Sequence, residues 1–116
     1  MARELPPEQI HVNDVDPTSP VPEGTHLLDV REPAEWEAGH APGAIHIPLG
    51  DLAARVNELP DGPLYVVCRG GGRSGRATQW LRQFGYGATN LDGGMSAWSE
   101  RSLPMVRDDG ATPEVL

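Results

Sequence analysis

The chain passes from strand to loop to helix in the stretch Leu64-Tyr65-Val66-Val67-Cys68-Arg69-Gly70-Gly71-Gly72-Arg73-Ser74. Four apolar residues predict a buried strand that ends at Cys68, and apolar residues at helical spacing predict a helix from Ser74 to Phe84. Three glycines separate the two elements, and without side chains they can turn their N–H groups inward. The stretch therefore predicts a ring of backbone amides around one thiol at the start of a helix.

Cys68 is the only cysteine of the chain, so neither an internal disulfide nor a second, resolving thiol is available. A cysteine at a helix N-terminus beside arginines commonly has a pKa of roughly 3.5 to 7.5 instead of about 8.5. Arg69 and Arg73 flank the glycines here. An inert cysteine that merely ends a strand is the ordinary alternative. The glycines and arginines favour a nucleophilic thiolate in a local anion site instead.

The composition indicates a small acidic protein. Its 116 residues suit a single domain over 1–116, with a core at about 10–104 and a polar C-terminal tail at 105–116. The formal net charge of −8 disfavours nucleic acid and anionic membranes as partners, and the lack of lysine excludes Schiff-base chemistry. No stretch approaches the roughly 18 apolar residues of a membrane span, and the first residues resemble no signal peptide. We therefore expect a cytoplasmic protein.

Strands and helices alternate along the sequence. Hydrophobic patterns and Gly or Pro breakers predict strands at 9–12, 26–30, 44–47, 64–67 and 88–91, and helices at 33–38, 51–59, 74–84 and 95–101. This alternation predicts an α/β fold, a small open doubly wound parallel sheet flanked by helices. Asp29 and Cys68 each lie at the carboxyl end of a predicted strand, the edge where such sheets bind ligands.

Four blocks of the sequence resemble the rhodanese-like sulfurtransferase family, over about 10–104. In chain order they are Leu28-Asp29-Val30-Arg31-Glu32-Pro33-Ala34-Glu35-Trp36, Gly39-His40-Ala41-Pro42-Gly43-Ala44-Ile45-His46-Ile47-Pro48, Cys68-Arg69-Gly70-Gly71-Gly72-Arg73-Ser74, and Leu91-Asp92-Gly93-Gly94-Met95-Ser96-Ala97-Trp98. The resemblance implies a rhodanese-like fold and a thiosulfate sulfurtransferase. In such an enzyme Cys68 takes sulfane sulfur from a small donor anion, becomes a persulfide, and passes the sulfur to a thiol, to cyanide or to a sulfur-acceptor protein.

The resemblance also implies roles for single residues. Cys68 is the expected catalytic nucleophile, and the donor is expected to bind along Arg69, Gly70, Gly71, Gly72 and Arg73. Arg73 is a candidate for fixing the loop through a carboxylate as well. Supporting roles are expected for three more residues: Ser74 as a helix cap or, less simply, a donor to Cys68, and Asp29 with Arg31 as a partly buried ion pair. Whether Asp29 or His40 contributes to the site stays open, although a structural role is the simpler hypothesis for both.

Three alternative functions remain. A cysteine-dependent phosphatase also places a thiolate in an amide loop, but its Cys-x5-Arg loop is one residue longer than the segment from Cys68 to Arg73. The spacing Gly70-x-Gly72-x-x-Gly75 resembles a dinucleotide-binding motif, yet it lies late in the chain and contains the cysteine. A noncatalytic module that binds a partner or carries sulfur is the third. The four histidines have no metal-ligand spacing, so we expect neither a metal nor a cofactor.

Overall fold

Five parallel strands form the central sheet of the structure, a computed structural model that describes residues 5–116. The strand order across the sheet is β1-β5-β4-β2-β3, which confirms the predicted open parallel α/β architecture. The strands are β1 (Gln9–His11), β2 (His26–Asp29), β3 (Ile45–His46), β4 (Leu64–Val67) and β5 (Ala88–Asp92).

Over the residues that the structure describes, four α-helices flank the sheet: α1 (Pro33–Ala38), α2 (Leu52–Arg55), α3 (Gly72–Gln83) and α4 (Gly94–Glu100). Short 3-10 turns occur at Val12–Asp14, Leu49–Asp51 and Val56–Glu58. Within residues 5–116, none of the helices has the length and apolar character needed to cross a membrane.

Both faces of the sheet are covered by apolar side chains. Successive residues of a strand point to opposite faces, and β4 shows the consequence. Leu64 and Val66 belong to a cluster with residues of α3, whereas Tyr65 and Val67 contact a second cluster built around α4. Cys68 belongs to the α3 cluster. The near-continuous apolar sequence of the central strand thus reflects burial on both sides.

The helix predicted at 51–59 is shorter in the structure. Only Leu52–Arg55 is α-helical, and the chain continues as the 3-10 turn Val56–Glu58 before Leu59 becomes extended. Pro60 disfavours helical geometry at the residue before it, and valine and asparagine are weak helix formers. The apolar spacing predicted the buried face correctly, but local propensity ends the helix early.

The segment 105–116 contains no helix, as its sequence indicates, yet it packs against the domain. Val106 exchanges two backbone hydrogen bonds with His40, of 2.8 and 3.0 Å, and the Glu114 amide donates to the Ala38 carbonyl at 2.9 Å. Met105 and Val115 contact the α4-side cluster. The segment therefore covers the end of α1.

Arg31, at the carboxyl end of β2, is a completely buried charge (0% exposed). Its Nε lies 2.9 Å and its Nη2 2.7 Å from the two carboxylate oxygens of Asp29. The same guanidinium donates to the carbonyl oxygens of Gly39, at 2.8 Å, and Glu35, at 3.3 Å. These carbonyls belong to the last turn of α1, where helix carbonyls lack partners within the helix. The ion pair therefore joins β2 to α1.

We predict that Arg31→Met lowers the free energy of unfolding by about 3 to 5 kcal/mol, because it leaves the Asp29 carboxylate buried without a counter-charge. The matched control is Arg55→Met, which removes an exposed pair with Glu58 and should change the free energy of unfolding only slightly, because water screens exposed ion pairs. Urea unfolding followed by circular dichroism measures both. Equal losses in the two variants would contradict the role assigned to Arg31.

Candidate functional site

The loop after β4 surrounds the Cys68 sulfur with backbone groups. Gly71 has φ +119° and is the N-cap of α3, and its carbonyl oxygen accepts from the Gly75 amide at 2.9 Å. This left-handed conformation is accessible to glycine at little cost. It turns the Gly71 amide back toward Cys68, where the N–H donates to Sγ at 3.1 Å. One glycine thus begins the helix and directs a donor at the sulfur.

The three loop glycines are not equivalent. A Cβ on Gly71 would lie 3.0 Å from Oδ1 of Asp92, whereas Gly70 and Gly72 have open space at the same position. Gly70 and Gly72 are exposed. The sequence predicted an amide ring from all three glycines, and in the structure only Gly71 is required by both backbone conformation and space.

Ser74 contacts the sulfur instead of capping the helix. Its Oγ lies 3.2 Å from Sγ of Cys68 and 2.6 Å from Oδ1 of Asn90. The capping hypothesis is wrong because α3 begins at Gly72, two residues earlier than predicted, and this places Ser74 inside the first turn. The less simple alternative, a hydrogen bond to Cys68, is the one observed.

These contacts set the ionisation of the thiol. Cys68 is buried (1% exposed). Burial alone raises the pKa of the thiol, but the hydrogen bonds of the Ser74 hydroxyl and of the Ser74, Gly71 and Gly70 amides lower it by more. The pKa of Cys68 therefore lies below the ordinary thiol value, as the loop sequence predicted. Near neutral pH, a larger fraction of Cys68 is therefore in the nucleophilic thiolate form than for an ordinary cysteine.

The loop arginines point to different partners. Arg73 is half-buried and forms two hydrogen bonds with the Glu35 carboxylate of α1, of 2.7 and 2.9 Å. Arg69 is exposed, and its Nε donates to the Leu116 carbonyl at 2.6 Å. The structure thus agrees with the loop-fixing role predicted for Arg73. Donor binding by either arginine stays a prediction.

The Glu35–Arg73 pair changes the ionisation of both groups. The Arg73 hydrogen bonds hold the pKa of Glu35 at about 2, well below its usual 4.5. In return, the Glu35 carboxylate raises the pKa of Arg73 above its usual value. Both groups are therefore charged throughout the neutral range.

A turn that sequence reasoning missed holds the other side of the loop. The Met95 amide donates to the Cys68 carbonyl at 2.8 Å, and the Ser96 amide donates to the Arg69 carbonyl at 3.0 Å. These amides belong to the first turn of α4, whose backbone approaches the loop at Gly94. The double glycine of the closing block was the available signal.

Asn90 of β5 was missed as well. It is buried, its Nδ2 donates to the Gly71 carbonyl at 3.2 Å, and its Oδ1 accepts from Ser74. An amide side chain inside a predicted strand could have indicated it, because buried polar side chains require partners.

The supporting residues proposed from the sequence lie beside the site. The side-chain hydrogen bonds of Asp29 within residues 5–116 go to Arg31, and none goes to Cys68. His40 bonds the Trp36 carbonyl at 2.8 Å and lies 3.2 Å from Asp108. Its ring also stacks on the Trp36 indole at 3.6 Å. Both residues therefore have structural partners.

Chemically, the loop can stabilise negative charge on one sulfur and on an anion beside it. Donors converge on Sγ from a backbone amide and a hydroxyl, and the start of α3 adds the positive end of its dipole. In the part of the chain that the structure describes, no three His, Cys, Asp or Glu side chains are grouped to hold a metal ion.

Comparison with known proteins gives a consistent result. The model of the rhodanese-like domain family matches residues 17–101. A protein of Allochromatium vinosum named sulfurtransferase is 41% identical over 86 residues, which are 72% of this chain and 80% of that protein. A putative sulfur carrier protein of Bacillus subtilis is 38% identical over 82 residues, 69% of this chain and 44% of that protein.

A solved structure supports the same relationship. The crystal structure of a rhodanese-related protein from Thermoplasma volcanium superimposes with a TM-score of 0.77 at 31% sequence identity. The match covers 85% of this chain and 97% of that one. The likeness thus includes nearly the whole of the other chain.

We predict that Glu35→Gln makes the protein less stable at neutral pH, and that this difference narrows as the pH falls. Glu35 has a pKa of about 2 when folded and 4.5 ordinarily. Its contribution is therefore complete above about pH 5 and is lost as the pH falls toward 2. Urea unfolding of native and variant protein at about pH 7, 5, 4 and 3 measures it. The control is Glu58→Gln, which removes an exposed pair. A difference that stays constant with pH would refute the assignment.

We predict that Gly94→Ala disrupts the loop, whereas Gly85→Ala is tolerated. Both glycines have positive φ, +56° and +87°, so each variant bears the left-handed cost of about 1 kcal/mol. Around Gly85 the space is open, but a Cβ on Gly94 would lie 2.6 Å from the Cys68 carbonyl oxygen and against that of Arg69. We expect Gly94→Ala to lower the free energy of unfolding by about 3 kcal/mol in total. We also expect iodoacetamide to alkylate Cys68 more slowly in this variant. Equal effects of the two variants would exclude this close contact as the cause.

Proposed function

Because the chain belongs to the rhodanese-like domain family, we propose that it is a sulfurtransferase that carries sulfane sulfur as a persulfide on Cys68. The donor is thiosulfate or a similar small anion, and the acceptor is a thiol, cyanide or a sulfur-acceptor protein. The observation that carries the proposal is the pair of donors on Sγ, the Gly71 amide at 3.1 Å and the Ser74 hydroxyl at 3.2 Å. Together they favour the thiolate that the reaction requires.

The first half-reaction is a displacement at sulfur. The Cys68 thiolate attacks the outer sulfur of thiosulfate, a new S–S bond forms, and the S–S bond of the donor breaks. The electron pair of that bond leaves with sulfite. The negative charge of the thiolate ends on the outer sulfur of the persulfide, so atoms, electrons and charge balance without a proton transfer. A general base is therefore unnecessary.

The second half-reaction must involve another molecule, because the chain has one cysteine. A nucleophilic acceptor attacks the outer sulfur, and the electron pair of the persulfide bond returns to Sγ as the thiolate. The amides and the hydroxyl that favoured the thiolate in the first step stabilise it again as the leaving group. The two steps form a ping-pong cycle.

The loop arginines support binding of the donor anion. Arg69 is exposed at the loop, and Arg73, in the first turn of α3, forms an ion pair with Glu35 of α1. A sulfonate group beside the loop would meet the guanidinium of Arg69 and the amides of Gly70 and Gly71, which point toward the sulfur. We further place the reaction in the cytoplasm, whose thiols keep Cys68 reduced and can serve as acceptors.

A sulfur-carrier module is the second candidate, and the relative from Bacillus subtilis named as a putative sulfur carrier favours it. A carrier and an enzyme share the Cys68 persulfide but differ in turnover. A cysteine-dependent phosphatase receives less support, since Cys68 and Arg73 are separated by four residues instead of five.

We predict that thiosulfate adds one sulfur atom, about 32 Da, to the reduced protein and that a reducing thiol removes it. Intact-protein mass spectrometry measures the addition, and Cys68→Ser, which replaces the thiol with a hydroxyl on the same carbon skeleton, should gain nothing. Thiocyanate formation from cyanide then separates the candidates: many equivalents per chain indicate an enzyme, and about one indicates a carrier. Absence of the added sulfur, or its presence in Cys68→Ser, would disprove the Cys68 persulfide.

A further inference from the structure

The Ser74 hydroxyl has two acceptors and a single proton. Its Oγ lies 2.6 Å from Oδ1 of Asn90 and 3.2 Å from Sγ of Cys68. A serine hydroxyl donates one hydrogen bond at a time and accepts others through its lone pairs. Both separations are within hydrogen-bond range, since contacts to the larger sulfur atom are longer than those between two oxygens. Cys68 and Asn90 therefore compete for one donor.

With Cys68 as a neutral thiol, Cys68, Ser74 and Asn90 form a chain of hydrogen bonds in which every group has a partner. The Gly71 amide donates to Sγ, and when the hydroxyl donates to Oδ1 of Asn90, a lone pair of Oγ, 3.2 Å from Sγ, is free to accept from the S–H. The Asn90 Nδ2 donates onward to the Gly71 carbonyl at 3.2 Å and to Oε1 of Gln9 at 3.3 Å. The chain of hydrogen bonds runs in one direction and closes on the loop itself.

With Cys68 as a thiolate, the same chain breaks. The sulfur has no proton to donate, so the Ser74 hydroxyl must turn toward it. Oγ then faces Oδ1 of Asn90, acceptor against acceptor, at the 2.6 Å separation. Reversing the Asn90 amide would relieve this contact but would direct Oδ1 at the Gly71 carbonyl oxygen. Because Asn90 is buried, water offers little relief, and an unpaired buried acceptor is costly.

We propose that Asn90 is a positioning residue that withholds the Ser74 proton from the sulfur of Cys68 and yields it only when that sulfur is negatively charged. The inference rests on the proposed persulfide chemistry for its purpose, though not for its test. In the persulfide the charge lies on the outer sulfur and Sγ is neutral, so the hydroxyl can return to Asn90. The competition therefore disfavours the thiolate relative to the persulfide and assists the loading step.

Other charged groups near the sulfur do not take part in the competition. Arg73 of α3 is paired with Glu35 of α1, and Arg69 bonds the Leu116 carbonyl. Asp92 at the end of β5 lies against the outer side of Gly71. The variants described below keep all of these residues, so the electrostatic effect of these residues on Cys68 is the same in every variant.

The test is the pH dependence of Cys68 alkylation by iodoacetamide, whose rate follows the thiolate fraction. The variants are Ser74→Ala, Asn90→Leu, which has nearly the shape of asparagine, and the double variant. The quantity of interest is the rise in the pH midpoint that Ser74→Ala causes. We expect this rise to be about one pH unit larger in the Asn90→Leu background than with Asn90 present, because a hydrogen bond to a charged group is released for the thiolate.

If Asn90 had only a structural role, Asn90→Leu would shift the pH midpoint of alkylation equally with and without Ser74→Ala. The rise caused by Ser74→Ala would then be unchanged, and this outcome would overturn the proposal. Should Asn90→Leu not fold, as judged by circular dichroism, Asn90→Asp asks the same question in the opposite direction. A carboxylate holds the Ser74 proton more firmly, so the rise should become smaller than in the native background, and an equal or larger rise would overturn the proposal. Alkylation needs no sulfur donor, so its outcome is independent of whether a persulfide forms.

Discussion

The buried guanidinium of Arg31 is the constraint on which the rest of the structure depends. A charge that is completely removed from water must be fully paired, and Arg31 meets this demand with the Asp29 carboxylate and two carbonyls from the end of α1. These contacts fix the position of α1 relative to β2. The helix in turn carries Glu35, whose carboxylate holds Arg73 beside the cysteine loop. A need for charge satisfaction in the core thus determines where one side of the site lies.

The other side of the site is determined by backbone contacts. Gly71 bends the loop so that an amide meets the sulfur, and the first turn of α4 donates to the carbonyls of Cys68 and Arg69. Inward amides and outward carbonyls of the same short loop are therefore both satisfied. A loop held at both surfaces reorganises little when charge appears on the sulfur, which is the condition for effective electrostatic stabilisation.

Much of this arrangement could be predicted from the sequence, because strand alternation, glycine positions and a lone cysteine are local signals. The parallel sheet, the loop after β4 and the lowered pKa of Cys68 follow from such signals. The partners of Asn90 could not be predicted, since Ser74 and Gly71 become its neighbours only when β5 lies beside β4. The packing of 105–116 was hidden for a similar reason: its contacts are irregular backbone hydrogen bonds, which leave no periodic pattern.

The donors that favour the sulfur anion are backbone amides and one serine hydroxyl, and this has an evolutionary consequence. Backbone groups are not altered by most substitutions, provided that Gly71 and Gly94 are kept, where both backbone conformation and space require glycine. Exposed residues around the loop can then drift, acquire new partners or lose old ones while the sulfur chemistry stays the same. A loop of this kind can serve unrelated pathways when only the exposed residues around it change. Evolution can therefore preserve the reaction while the acceptor of the sulfur changes.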